Sequence, residues 1–246
     1  KEKDQNAYHL LSTLLDVCTD ELEVLVEGAT DDDKVVDRVR RRIDELFGPR
    51  DAVPEDIDLK AFVEIAIDEI RPRFNHRKCK LVTRIDPTEL IRIPPEVLSK
   101  MIEGLVRNAV ENTPDGGRIE VNTFNTEAGP MLEVTDSGVG ITVENQRLIF
   151  ENYFTAADTM QYSTRKPYDF NAGGRGFDLL RMKIFSERYH FTIRMDSERC
   201  RHIPGDGDVC VGDIDDCQHI NNGDDCRQSG GTRVRVLFRP AEQTAD

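Results

Sequence analysis

The sequence predicts an α+β fold: a two-layer sandwich of helices on a mostly antiparallel sheet, preceded by a helical segment. Three observations point there. Apolar residues recur with the helical period of 3.6 in some stretches and with a strand-like period of two in others, and the two kinds are interleaved along the chain. No stretch approaches the roughly 18 apolar residues that a membrane-spanning helix needs. Hydrophobic residues make up 38% and charged residues 33% of the 246, a balance that supports a packed core rather than a disordered chain.

The elements follow in order. Residues 7–27 carry a helical stripe of Leu10, Leu11, Leu14, Leu15, Val17, Cys18, Leu22 and Leu25, with Gly28 as its stop. Asp31 to Asp33 suit the start of a second helix, whose Val35, Val36, Val39, Ile43, Leu46 and Phe47 form an apolar face before Gly48-Pro49. Neither helix can bury its face alone. Residues 1–50 are therefore expected to pack on themselves, on a second copy or on the following domain. Asp51 to Asp56, with Pro54, reads as a linker. A helix is expected over about 58–74, a strand over 80–86, and a helix over 95–112 with Pro95 in its first turn. Strands are expected over 118–124, 131–135, 191–195 and 232–238, and a helix over 177–189. The chain begins at Lys1 rather than Met, which points to a fragment of a longer protein.

There are 47 acidic and 33 basic side chains, a formal charge of −14. So acidic a chain is poorly suited to gripping nucleic acid through its phosphates. A nucleotide is a different matter, because local donors and a metal ion can override the overall field.

The helix ending at Asn112 is the most informative stretch. Leu98, Met101, Ile102, Leu105, Val106, Ala109 and Val110 form an unbroken apolar face, and Gly104, Asn108, Glu111 and Asn112 form a second. Asn108 and Asn112, four apart, are expected to project their amides side by side, as oxygen donors for magnesium or as caps of the helix end. Asp136-Ser-Gly138-Val-Gly140 follows a strand. Its glycines let backbone approach a flat ligand, and its aspartate can accept a hydrogen bond from an exocyclic amine. Gly173-Gly174-Arg175-Gly176 opens the helix at Phe177, leaving backbone N–H groups for phosphate oxygens.

In this order and spacing the motifs resemble the GHKL ATPases, and the sensor histidine kinases most closely. Arg107 to Gly117 resembles the family's N box, Asp136 to Gly140 its first glycine box, Ile149-Phe-Glu-Asn-Tyr-Phe-Thr155 its phenylalanine box, and Gly173 to Leu179 its second glycine box. The resemblance covers about residues 57–240, read as the ATP-binding domain, with 1–50 as a dimerisation or phosphoacceptor-like segment. It implies that Asn108 coordinates Mg and that Asn112 lies against the phosphates of ATP. Asp136 would read adenine, Gly138, Gly140 and Phe150 would shape the pocket, and Gly174 and Gly176 would support the phosphates. A lid over about 155–172 would close on ATP, with Arg165, Lys166 and Arg175 as phosphate partners. It further implies transfer of the γ-phosphate to a histidine, a homodimer, a response regulator as partner, and a cytoplasmic location. The alternative is a nucleotide-binding domain that regulates or dimerises without phosphorylating.

The sequence departs from the family pattern in three places. Gly104 stands where Asn or Glu is usual, and Glu103 is better placed to pair with Arg107 than to replace it. Asp178 replaces the last glycine of the second glycine box. His9 is followed by Leu10 and Leu11 rather than a carboxylate, so it reads as an ordinary helix residue, and His76 reads as a solvated turn residue.

Cys200, Cys210, Cys217 and Cys226 lie in an acidic insertion over 200–227 that separates two strands otherwise expected to be joined directly. Three readings stand open: a zinc site on the four cysteines, disulfides, or free thiols in a mobile loop. Cys79 reads as a buried small apolar residue.

Overall fold

The computed structural model describes residues 52–146, 166–172, 177–205 and 207–243. The helices expected over 7–47, His9, the phenylalanine box with Phe150, Arg165, most of the expected lid, and Gly174, Arg175 and Gly176 lie outside these residues.

A short strand, β1 (Glu55–Ile57), leads into helix α1 (Leu59–Ile70), which Asp58 caps by accepting the Ala61 N–H at 3.2 Å. The chain then tightens into a 3₁₀ turn at Arg71–Phe74, where Pro72 ends the α-helical bonding. Strands β2 (Lys80–Ile85) and β3 (Ile91–Ile93) precede helix α2 (Pro95–Asn112). Strands β4 (Arg118–Thr126) and β5 (Gly129–Asp136) form a hairpin. Helix α3 (Phe177–Tyr189) and strand β6 (Thr192–Glu198) follow. An insertion carrying the short helix α4 (Gly223–Arg227) comes before the last strand, β7 (Gly231–Leu237).

Five strands form one sheet in the order β2-β4-β5-β7-β6. Only the β2–β4 pair is parallel. Along β4, buried Ile119, Val121 and Thr123 alternate with the more exposed Glu120 and Asn122. One face is therefore packed and the other polar, as an antiparallel sheet covered on one side requires. The polar face carries ion pairs of Glu133 with Arg233 and Arg235, and of Arg235 with Asp196. All seven apolar residues named above for α2 are buried in one core together with Ile119, Val121, Leu132 and Val236 of the sheet. Burying each of the larger ones is worth about 1.5–3 kcal/mol, and this packing holds α2, with its C-terminal asparagines, against the sheet.

The stretch read as a linker is in part a strand. Glu55–Ile57 pairs antiparallel with Ile91–Ile93, and Ile57 is buried. Three-residue strands are too short to show a period, so their pairing depends on partners distant in sequence.

Candidate nucleotide site

The site is built at the C-terminal end of α2, where four segments meet. The first is α2 itself with the turn 113–117. The Thr113 hydroxyl donates to the Ala109 carbonyl at 2.6 Å, and Asn112 Nδ2 donates to the Asn108 carbonyl at 2.8 Å. Asn112 is exposed, and its amide is turned back onto the helix rather than set beside that of Asn108. Of the two, only Asn112 lines the adjoining cavity.

The second segment is the loop after β5. Asp136 Oδ1 accepts the Gly138 N–H at 2.9 Å and the Thr232 N–H at 3.2 Å, which fixes the carboxylate between β5 and β7. Burial pushes this carboxyl up to about 7, against the pull of both backbone donors. The Val139 N–H donates to the Asn112 carbonyl at 3.0 Å. A Cβ on Gly138 would stand 2.3 Å from that carbonyl and 2.6 Å from Asp136 Oδ1, and one on Gly140, at φ +65°, would stand 1.8 Å from the Glu198 carbonyl. Both glycines are demanded by close backbone approach.

The third segment, residues 166–172, packs on α2 from the other side. The Tyr168 N–H donates to buried Glu111 Oε1 at 3.0 Å, and the Asn171 N–H donates to the Glu111 carbonyl at 2.7 Å. Lys166 is exposed on this segment. Glu111 is thus a structural clamp, a role its place beside Asn112 did not disclose.

Arg77 was also missed by sequence reasoning. Its side chain is 5% exposed, and it bonds Asp115 Oδ1 at 2.8 Å and the carbonyls of Val110 at 3.0 Å, Thr113 at 2.7 Å and Tyr168 at 2.9 Å. One guanidinium caps the orphan carbonyls of α2 and ties them to segment 166–172. The neighbouring His76 is half-exposed and meets Asp169 at 2.9 Å. Glu103, expected to pair with Arg107, receives Arg73 at 2.5 Å, because the 3₁₀ turn brings Arg73 over the middle of α2. Cys79 is part-buried, and burial pushes its thiol up to about 11.

The insertion, residues 199–230, is the fourth segment, and it docks onto the others. Asp115 donates its N–H to the Gly212 carbonyl at 2.9 Å and accepts from the Ile214 N–H at 2.9 Å, while the Cys200 N–H donates to the Val139 carbonyl at 2.9 Å. Ile203 and Ile214 are buried. The four cysteines line one small cavity of about 50 Å³ together with His202 and His219, whose rings stack 6.0 Å apart. All four are free thiols. Burial first, and then the thiols of Cys210, Cys217 and Cys200, push Cys226 up to about 11. Of the three readings left open, the zinc site finds no support: among the described residues no three His, Cys, Asp or Glu side chains make a group able to hold a metal ion. The cysteines come from separate turns rather than tight pairs, and Cys200 Sγ turns to Ser229 Oγ at 3.1 Å.

A larger cavity, of about 280 Å³, opens where the four segments meet. Asn112, Gly140, Thr142 and Asn145 line it, with Phe170 and Asn171 of segment 166–172 and residues of the insertion. Asp136 stands at the end of β5, outside its lining.

The family model of histidine kinase-, DNA gyrase B- and HSP90-like ATPases matches residues 94–242, more than half of the chain. The chain belongs to this family. Sensor histidine kinase ZraS of Escherichia coli (strain K12) is 29% identical over 169 residues, 67% of this chain and 33% of that protein. Sensor-like histidine kinase SenX3 of Mycobacterium tuberculosis (strain H37Rv) is 27% identical over 154 residues, 62% of this chain and 34% of that protein. The chain spans about a third of the length of these curated relatives. Among solved structures, the nucleotide-free catalytic domain of histidine kinase ThkA matches with a TM-score of 0.52 at 13% identity, over 76% of this chain and 95% of that one. Full-length ShkA in complex with AMPPNP matches with a TM-score of 0.51 at 14% identity, over 98% of this chain and 46% of that one. These two likenesses show the fold. The chain therefore carries a histidine kinase-type ATPase domain. No helix among the described residues is long and apolar enough to cross a membrane.

Proposed function

We propose that this domain binds Mg·ATP and serves as the catalytic part of a sensor histidine kinase, passing the γ-phosphate to a histidine. The observation that carries the reading is Asp136. Two backbone N–H groups hold its Oδ1 at the end of β5, just ahead of Gly138 and Gly140, which admit no side chain. Oδ1 is engaged with the protein, so Oδ2 is the atom that would receive the adenine amine. Gly138 and Gly140 keep the floor of the pocket flat. The donor set fits a magnesium-bound nucleotide: Asn108 and Asn112 are neutral amides whose oxygens suit Mg²⁺, which would neutralise phosphate charge. Asn112 has only to release the Asn108 carbonyl to present its side chain to the cavity. Lys166, Arg165 and Arg175 are the proposed phosphate partners, with Gly174 and Gly176 supporting the phosphates and Phe150 the pocket. Protein groups here bind, orient and exclude water, and positioning supplies most of the catalysis in phosphoryl transfer.

In this reading residues 1–50 dimerise the chain, a response regulator receives the phosphoryl group, and the domain works in the cytoplasm. Calorimetric titration with ATP and magnesium tests the binding step. Asp136→Ala should weaken affinity by about 1–3 kcal/mol, the cost of a hydrogen bond to a charged group. Unchanged affinity in that variant removes Asp136 from the site. Labelled ATP and the full-length protein then test transfer: an acid-labile phosphoprotein is expected, and binding without label would leave the regulatory alternative.

A further inference from the structure

The insertion lies where a plain β6–β7 hairpin would leave the cavity open on one side. Arg199, just past β6, ties it in place. Its Nε donates to the Ile203 carbonyl at 2.9 Å, Nη2 to the carbonyls of Asp208 at 3.1 Å and Gly205 at 3.2 Å, and Nη1 to the carbonyl of Gly140 at 3.3 Å. One guanidinium thus gathers the inserted loop and fastens it to the glycine of the adenine loop. Four of its five N–H donors are engaged by backbone carbonyls, so the guanidinium, itself part of the lining of the larger cavity, is held as a brace of the loop.

The loop so held presents Asp208, Val209 and Cys210 to the 280 Å³ cavity, opposite Asn112 and Asn145. Val209 is 78% exposed, an apolar side chain at the cavity rim with little of the protein to cover it. Ile203, Val209 and Cys210 also line the small thiol cavity behind, so one strip of chain separates the two. Cys200, Cys217 and Cys226 line only the thiol cavity.

We propose that the insertion is the outer wall of the nucleotide pocket, with Val209 and Cys210 covering a bound adenine nucleotide and Arg199 as the positioning residue that sets the wall. The ligand class is a purine nucleotide: an apolar ring face suits Ile203 and Val209, and polar edges suit Asn112 and Asn145. This rests on the nucleotide reading above. It adds that the insertion, absent from a plain hairpin, sets affinity and access in this chain, and that Cys210 reports occupancy.

Cysteine alkylation followed by mass spectrometry, on the full chain with and without ADP, tests it. At ADP ten times its dissociation constant, alkylation of Cys210 should slow about tenfold, in proportion to the free fraction. Cys217 and Cys226 should react at unchanged rates. Arg199→Ala should raise Cys210 reactivity and weaken ADP binding roughly tenfold, while Cys79, remote from the wall, keeps its rate. Arg199→Lys, with one donor group for four carbonyls, should recover little. If calorimetry shows ADP bound while Cys210 reacts as fast as in its absence, the wall does not cover the ligand and the proposal is overturned. Equal slowing of all four thiols would also overturn it, because that pattern reports general tightening. Absence of ADP binding in the wild type would instead sink the nucleotide reading itself.

Discussion

The loop after β5 and the insertion after β6 border the same cavity, yet they are held by opposite means. Residues 136–140 are fixed by backbone that has no room to move: Gly138 sits under the Asn112 carbonyl and Gly140 under that of Glu198. Among its described residues the insertion buries two apolar side chains, Ile203 and Ile214, and takes its shape from side-chain-to-backbone bonds, with Arg199 at the centre. A site wall made by close backbone contact tolerates almost no substitution. One made by hydrogen bonds at a polar surface can be loosened without loss of the fold.

The sharpest way to break this contrast is Gly140→Ala. A methyl group would collide with the Glu198 carbonyl at a φ of +65°, which L residues rarely adopt. The expected loss is about 3 kcal/mol or more of unfolding free energy in urea titrations. A variant as stable as the wild type would show that the loop is not confined as described.

Asp136→Asn separates stability from function in the same loop. The folded carboxyl titrates at about 7, above its ordinary value of 3.8, because burial disfavours the charge. The folded state then holds the proton more tightly than the unfolded state. Its contribution to stability is fully present below pH 4 and is lost as pH rises through about 7. Asparagine keeps the acceptor for Gly138 and Thr232 without the charge. It should therefore be more stable than wild type at pH 8 by about 2–4 kcal/mol, toward the lower end because the residue keeps some contact with solvent, and about equal near pH 4. Nucleotide affinity of the wild type should fall as pH drops below about 7, since an adenine amine needs the ionised acceptor. Thermal unfolding and calorimetry across this range check both signs. A wild type whose stability rises between pH 4 and 8 relative to Asp136→Asn would contradict the buried charge.

The smallest effect belongs to the insertion. Arg199→Ala should cost about 1–2 kcal/mol, since two of the four carbonyls it leaves, those of Gly205 and Asp208, are exposed and can be rehydrated. Limited proteolysis should nonetheless cut residues 199–230 much faster, with the sheet intact by circular dichroism. A loss as large as that of Gly140→Ala would place the insertion in the core and remove the contrast.

Much of this was legible in sequence. The 3.6-residue period of α2 named seven of its buried residues correctly, but not Val97, nor Gly104 and Glu111 of the second face, which are buried as well. The alternation in β4 and β5, and the paired glycines after Asp136, were equally plain. Asn108 and Asn112 share a helix face as their spacing requires, but spacing could not say that the Asn112 amide bonds back to the Asn108 carbonyl.

What the sequence by itself determined is therefore the fold class, the order of its layers and the location of the glycine-bearing loop after β5. Each is written in a local period or a run of glycines within a few residues. The tertiary structure alone decided the β1–β3 pair, the capping of α2 by Arg77, the clamp through Glu111 and the docking of the insertion against Asp115 and Gly140. It also gathered the four clustered cysteines, as free thiols, around one cavity. These contacts join residues about 30 to 100 positions apart, and a side chain's distant partner depends on how the whole sheet brings the segments together, which no local pattern encodes.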